Sequence, residues 1–325
     1  MPVTMEQARL NTQDDIQAGI IDEFRKSSFI LNNITFDDAV TPGTSGATLT
    51  YGYTRVIEEA QAAFRAINSE YTNHEAKKQR YTTELKVFGG QYKIDRVLAR
   101  TGGLADEVAF QTEQKVKATR TLFHDTVING DSGANEDSFD GLDKAITGTS
   151  TEHYTEEYID ISSTGQIESN YKKFLFELDE FLSRLDEKPD VLASNTKMYN
   201  RLVAIAREAG YLTSSEDAFG RKIWAYNDIP IVDLGAKPGS NNPVVAIDSR
   251  TVGGSAVSGL TDLYAWRFGL DAFHGVSLAN TDLVKIWLPD FDTAGAVKPG
   301  EVEMVSSVAL KRTKSAGVFR NIKVV

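Results

Sequence analysis

A chain of 325 residues with 41% hydrophobic and 25% charged content has the balance of a folded globular protein, which excludes disordered, collagen-like and disulfide-scaffold classes. The absence of cysteine excludes thiolate metal centres and cysteine nucleophiles and suits a reducing compartment. Net charge is −11, distributed as −4 over residues 1–50, +3 over 51–100, −1 over 101–130, −14 over 131–303 and +5 over 304–325. An acidic body with a basic tail is not the clustered cationic surface that grips duplex nucleic acid.

The start of the chain lacks the basic and apolar regions of a secretory signal, and no apolar run reaches the ~18–20 residues of a membrane span. The expectation is a chain neither exported by that route nor membrane-spanning. Thr12, Asp14 and Asp15 followed by Ile16, Ile20 and Phe24 predict a short amphipathic helix over 12–26. Residues 36–48, rich in Thr, Gly and Asp, read as a connector. Leu49, Tyr51 and Tyr53 then alternate as in a strand.

Residues 58–82 leave that strand for a polar, charged tip and return through Leu85 and Val87 to the Gly89–Gly90 pair. A long two-way excursion with few apolar anchors has no core of its own, so a neighbouring subunit is the expected support. Its cationic cluster "NHEAKKQR" (73–80) is expected at the loop tip, in contact with a partner or with solvent.

A helix is predicted over 103–129, roughly 40 Å long at ~1.5 Å per residue. Its inward stripe is Ala105, Ala109, Thr112, Val116, Thr119, Phe123 and Val127. Asn129–Gly130 is expected to stop it, with the glycine left-handed and His124 and Asp125 on the exposed side. The acidic run "DSGANEDSFDGLD" from Asp131 fails as a calcium loop: Gly133, Glu136 and Leu142 stand where a ligand, the glycine and the bidentate glutamate belong. It reads as a turn.

Ser163 and Gln166 resemble a capping box ahead of the stripe Ile167, Tyr171, Phe174, Leu175, Leu178, Leu182 and Leu185, which ends before Pro189. "DVLASN" reads as a buried strand, Thr196 as the cap of the next helix and Gly210 as its stop. Further strands follow around "KIWAYNDIPIVDL", "PVVAI" and "TDLYAWRFGL". In the tail, Lys311, Arg312, Lys314, Arg320 and Lys323 read as outward cations on a strand, either solvated and salt-bridged or meeting an acidic surface of a neighbouring copy.

No G-x-S-x-G, P-loop, G-x-G-x-x-G or H-E-x-x-H motif occurs. The four histidines, His74, His124, His153 and His274, stand far apart, and Trp224, Trp266 and Trp287 lack the interleaved cations of a base-stacking surface. No catalytic, cofactor-binding or metal-ligating residue is nominated, and no cofactor is expected. An enzyme remains conceivable only through convergence of distant residues.

Taken in order, the arm, the excursion, the long helix ending in "INGD", the following "FDGL" (139–142), the helix–strand–helix from "QIESNYKKF" to "MYNRL", and "YNDIPIVDL" resemble the major capsid protein of tailed bacteriophages, the Hong Kong 97 type. The resemblance spans nearly the whole chain. It implies an α+β capsid fold: N-terminal arm 1–48, extended hairpin loop 49–92, peripheral domain 93–150 and 300–325 with a spine helix, and α/β axial domain 151–299. The basic C-terminal strand would return to the peripheral domain.

The resemblance also implies a non-enzymatic subunit whose hexamers and pentamers form an icosahedral shell around double-stranded DNA, without sequence-specific binding. Such a protein works with a scaffolding protein, a portal and, in some relatives, a decoration protein. It is assembled in the bacterial cytoplasm and resides in the virion. With only about fifty residues before the extended loop, a separate scaffolding protein and no proteolytic maturation are expected. Glu70, His74, Lys77, Lys78, Arg80, Lys311, Arg312 and Lys314 are the candidate inter-subunit contacts. An encapsulin-like compartment shell is the alternative within the same fold.

Overall fold

The structure is a computed structural model that describes residues 29–41, 49–100, 107–155, 157–210, 213–216 and 222–325. The helix expected over 12–26 lies outside the described residues. In chain order come α1 (Phe29–Asn33), β1 (Phe36–Val40), β2 (Thr50–Glu58), β3 (Lys77–Glu84), β4 (Lys86–Asp95), α2 (Arg96–Arg100), α3 (Glu107–Asn129) and α4 (Leu142–Ile146). The short strands β5 (Glu152–His153) and β6 (Ile159–Asp160) lead to α5 (Thr164–Ser183), β7 (Val191–Ser194) and α6 (Thr196–Glu208). The remainder is β8 (Thr213–Glu216), β9 (Lys222–Tyr226), β10 (Ile229–Asp233), β11 (Asp248–Val252), β12 (Ser255–Trp266), β13 (Phe273–Leu278), β14 (Val284–Trp287), β15 (Val297–Leu310) and β16 (Ala316–Lys323).

Three sheets organise these elements. The largest runs β5-β16-β12-β7-β10-β9-β8, with β11 on β12 and β6 on β16; a second runs β1-β13-β15-β14, with β4 also on β15; β2 and β3 form a two-stranded hairpin. In the middle of the large sheet, β7, the second half of β12 and β16 bury apolar side chains on both faces. Val191 and Ala193, Tyr264 and Trp266, and Ala316 and Val318 join one core with Phe123, Ile128 and Phe273, whereas Leu192, Leu263, Ala265 and Phe319 join another with Phe174, Phe181 and Leu202. The period-2 alternation of side chains thus sends successive residues to different cores. This explains why "DVLASN" reads as a continuous apolar run.

Several local expectations are corrected. Residues 36–40, read as part of a connector, form β1, parallel to β13. Thr196 is not the cap of α6; Asn195 is, its side chain accepting from the Met198 N–H at 3.0 Å. Ser163 does cap α5, accepting from the Gln166 N–H, and Gly210 has φ +72° just beyond α6.

At the end of α3 the helix stops where predicted, but Gly130 is not left-handed. Its carbonyl accepts from the Gly141 N–H at 2.8 Å. A Cβ on Gly130 would stand 2.3 Å from the Phe139 carbonyl oxygen, and one on Gly141 2.6 Å from that of Thr126. Both glycines serve close backbone approach, which is the physical content of "INGD" and "FDGL".

His124 is not exposed but 2% accessible, its Nε2 accepting from the Ile30 N–H at 3.3 Å. Burial lowers its pKa to about 4. On the same helix Ala109 is exposed and Val116 half-buried, while Thr121 and Ile128 are buried. The stripe therefore holds only toward the C-terminal half, where α3 meets α1 and α4.

The C-terminal segment divides between sheets. β15 pairs antiparallel with β4 from Lys86↔Ser306 to Asp95↔Val297, whereas β16, expected to return to the peripheral domain, inserts into the large sheet beside β12.

Candidate assembly surface

Among the described residues, the hairpin β2–β3 is fixed only at its base. Leu85 N–H donates to the Leu49 carbonyl at 2.7 Å, and the Tyr51 hydroxyl donates to Asp37 at 2.7 Å. The Tyr53 hydroxyl donates to the Leu310 carbonyl at 3.0 Å. Arg55 donates to the carbonyls of Lys311 (2.9 Å) and Leu310 (2.7 Å) and to Thr313 Oγ1 (2.9 Å).

Arg55 also lies 4.4 Å from the centroid of Tyr81, whose ring stacks on Tyr53 at 5.9 Å. A planar guanidinium that donates to three acceptors and lies over the Tyr81 ring is a rigid clamp. Burial raises the Tyr53 pKa, which keeps its hydroxyl a donor. Beneath this base His274 is fully buried, edge-on to Tyr51 at 5.8 Å, and burial lowers its pKa. A cleft of about 300 Å³ separates the base from the turn that carries Asp140, Gly141 and Lys144.

Beyond the clamp, every residue from 56 to 80 is exposed. Residues 59–76 have no regular strand or helix, and Phe64, Ile67 and Tyr71 are 108%, 91% and 66% accessible. Large side chains this bare on one loop make it a candidate contact surface.

The predicted contact residues fall into three groups. Lys77, Lys78 and Arg80 lie on β3 rather than at the tip; Lys77 pairs with Glu58 at 2.6 Å, and Arg80 extends over Gly52. Glu70 and His74 belong to the irregular segment and are exposed. Lys311, Arg312 and Lys314 are at the hairpin's base. The Lys311 ammonium sits 5.4 Å over Tyr51, and Arg312 approaches Asp186 (3.6 Å), Glu187 (3.7 Å) and Asp271 (3.7 Å) of its own chain.

Sequence reading missed the clamp residue Arg55 and the bare apolar trio. The trio's spacing of three and four looks helical, so its exposure had no sequence signal.

A second polar centre sits at the joint of the two cores. Arg320, 11% accessible, contacts Glu152 (2.5 Å), Asp143 (2.8 Å) and Asp262 (3.1 Å), and Asp262 also binds Arg250 at 2.6 Å. Burial acts to raise the Glu152 pKa, but hydrogen bonds from Gly148 N–H, Tyr154 and Arg320 outweigh it and hold the carboxylate below its ordinary value. The arrangement is a saturated network with no free nucleophile.

The histidines do not converge: His74 is exposed on the loop, His124 faces Ile30, His153 meets Glu177 at 3.0 Å and His274 underlies Tyr51. Lys144 lies between Asp131 (2.5 Å) and Asp140 (2.9 Å), so the acidic turn already holds a cation of its own. Among the described residues no group of His, Asp and Glu is arranged to hold a metal ion, and no helix is long and apolar enough to cross a membrane.

This layout of pinned hairpin, long helix and two-core sheet is that of the Hong Kong 97 type capsid fold, and the chain has that fold. It is similar over nearly its whole length to solved structures that include the following three. One is the holo-SrpI encapsulin complex from Synechococcus elongatus, with 12% identity, 99% of this chain and 97% of that one covered, and a TM-score of 0.65. The second is Mycobacterium phage Bobi, with 10% identity, 98% and 99% covered, and a TM-score of 0.60. The third is the capsid of the native GTA particle, with 12% identity, 99% and 98% covered, and a TM-score of 0.59. No family model matches the sequence, and no curated protein matches it.

Proposed function

We propose that this chain is a structural shell subunit, the major capsid protein of a tailed bacteriophage, whose hexamers and pentamers close into an icosahedral container for double-stranded DNA. The observation that carries this reading is the hairpin: it is clamped at Arg55 and bare from residue 56 to 80. A hairpin whose connecting segment presents Phe64, Ile67 and Tyr71 to solvent has the chemistry of an element completed by a neighbouring copy. The fold shared with a GTA capsid supports it, as does the acidic body, which disfavours adhesion to packed DNA. A scaffolding protein, a portal and a decoration protein are the partners of this reading. The virion is its final location, after assembly in the bacterial cytoplasm.

Negative-stain electron microscopy and light scattering, on the protein expressed alone and with the products of its neighbouring genes, test the proposal. Round shells or five- and six-membered rings are expected; a persistent monomer under every condition overturns it. The encapsulin likeness, with its TM-score of 0.65, favours a second reading, a compartment shell around a protein cargo. Nuclease-protected DNA in native particles supports the capsid; an enclosed protein without DNA supports the compartment.

A further inference from the structure

The third and smallest core lies between the hairpin's base and one face of the second sheet, and joins Val40, Tyr51 and Leu85 to Val276 and Ala309. His274 belongs to that face. It alternates with Val276 along β13 and stands opposite Ala309 on β15, whereas its neighbour Phe273 joins the core of Phe123 and Trp266. A fully buried imidazole is thus set in a largely apolar layer, with the Tyr51 ring edge-on to it at 5.8 Å.

The surroundings of the ring favour its neutral form. Neither ring nitrogen makes a full hydrogen bond. Just beyond β15, Lys311 holds its ammonium 5.4 Å over the same Tyr51 ring. From β1, Asp37 accepts the bond from the Tyr51 hydroxyl. Beside Leu85, Glu84 and Lys86 pair with each other at 3.1 Å, and on β2 the Arg55 guanidinium is engaged by its three acceptors. Burial, joined by Lys311, holds the His274 pKa below the ordinary histidine value and outweighs the Ala272 backbone, Asp37 and Asp271, which favour the proton.

We infer that His274 is an acid-operated latch for the hairpin's base: the neutral ring seats Tyr51 over the third core, and a proton on it, set beside Lys311, drives Tyr51 and Leu85 off β13 and β15. A buried cation without full hydrogen bonds is costly, and lifting Tyr51 admits the water that relieves it. The acceptors of Arg55 are two backbone carbonyls and a threonine hydroxyl, none of which titrates in this range. The base therefore pivots about Arg55 instead of leaving the body. The latch belongs to the single chain, so it goes beyond the shell reading and does not depend on it.

The sign follows from the two states. An exposed imidazole takes its proton near pH ~6.5, and the latched ring takes it only at lower pH. The closed base is thus fully favoured above pH 6.5 and loses that advantage as pH falls below it.

Amide exchange on the full-length chain tests the latch, at concentrations where light scattering shows one assembly state across the pH range. The reporter is the Leu85 N–H, which donates to the Leu49 carbonyl at the base; the control is the Leu234 N–H, which donates to Ser194. Between pH 7.5 and 5.5, protection of Leu85 relative to its intrinsic rate is expected to fall severalfold, with a ceiling of about tenfold set by the exposed imidazole. Leu234 is expected to change less.

His274→Gln and His274→Phe, two side chains of different shape that do not titrate, are each expected to abolish the response at Leu85. Either one that folds by circular dichroism suffices for the comparison. Lys311→Gln removes the neighbouring cation and is expected to shrink the response. A parent protein whose Leu85 protection is independent of pH overturns the latch. So does an equal fall at Leu234, which means that the whole molecule loosens, or an unchanged response in a folded His274 variant.

Discussion

Gly130 and Gly141 meet backbone to backbone: the Gly141 N–H donates to the Gly130 carbonyl at 2.8 Å, joining the end of α3 to the start of α4. Neither position has room for a methyl group, because the nearest atoms are backbone oxygens at 2.3 and 2.6 Å. Gly130→Ala and Gly141→Ala are each expected to cost about 1–3 kcal/mol, the range for forced overpacking. Urea titration of the subunit measures this, and wild-type midpoints for both would refute the close-approach account.

Arg320 neutralises acids in a nearly dry site, where Glu152 and Asp262 side chains are 6% and 4% accessible. Arg320→Ala takes the cation away from the buried Glu152 and leaves Asp262 with Arg250 alone, a loss of about 3–5 kcal/mol. Arg320→Lys is expected to recover only part of it, since an ammonium cannot reproduce the fork that reaches three carboxylates. Thermal unfolding of both variants gives the order; an alanine variant as stable as the parent would contradict it.

His124 carries a pH dependence of defined sign. Its pKa is about 4 in the fold because burial penalises the cation, against ~6.5 in the unfolded chain. The unfolded state thus binds the proton first. The stability that a neutral His124 supplies is fully present above pH 6.5 and is lost as pH falls toward 4, by roughly 3 kcal/mol across the window. His124→Gln, which keeps an acceptor for the Ile30 N–H, is expected to flatten the slope of unfolding free energy in that window by up to about 1.4 kcal/mol per pH unit. An unchanged slope argues that His124 is not the titrating group.

Arg55→Ala removes the clamp without touching either main core. The two strands still pair, so global stability is expected to fall by only about 1–2 kcal/mol, near the value of the lost charge-assisted bonds. Amide exchange in β2 and β3 should rise, and, under the proposed shell function, particle yield should drop by more than the stability change accounts for. Unaltered exchange in the hairpin would mean that Tyr51 and Tyr53 suffice to hold it.

What the sequence disclosed follows from which forces are local. The α5 stripe, the Ser163 cap and the Gly210 stop were legible because helical period, capping and left-handed glycine are set within a few residues. His124 was misplaced because its burial depends on α1, 94 positions away. Gly130 was assigned the wrong service for a similar reason: its constraint comes from Phe139, not from its own φ. The excursion was recognised by its poverty in apolar anchors, but the clamp at Arg55 depends on residues more than 250 positions away and the partners of Arg312 on other elements, and no short-range pattern encodes them.

The position of β16 bears on the order in which the protein comes into being. Ala316 and Val318 wall one core and Phe319 and Ile322 the other, and the strand lies between β12 and the short β5 and β6. A ribosome makes every other strand of the large sheet first, so both cores wait for residues 316–322 before they can close. Until then the nascent chain carries a finished hairpin sequence on an unfinished body, and pairing this distant in sequence is slow to form. Consolidation of the body is thereby tied to the synthesis of residues 316–322: before they emerge, a growing chain carries the hairpin on a base that has not yet closed.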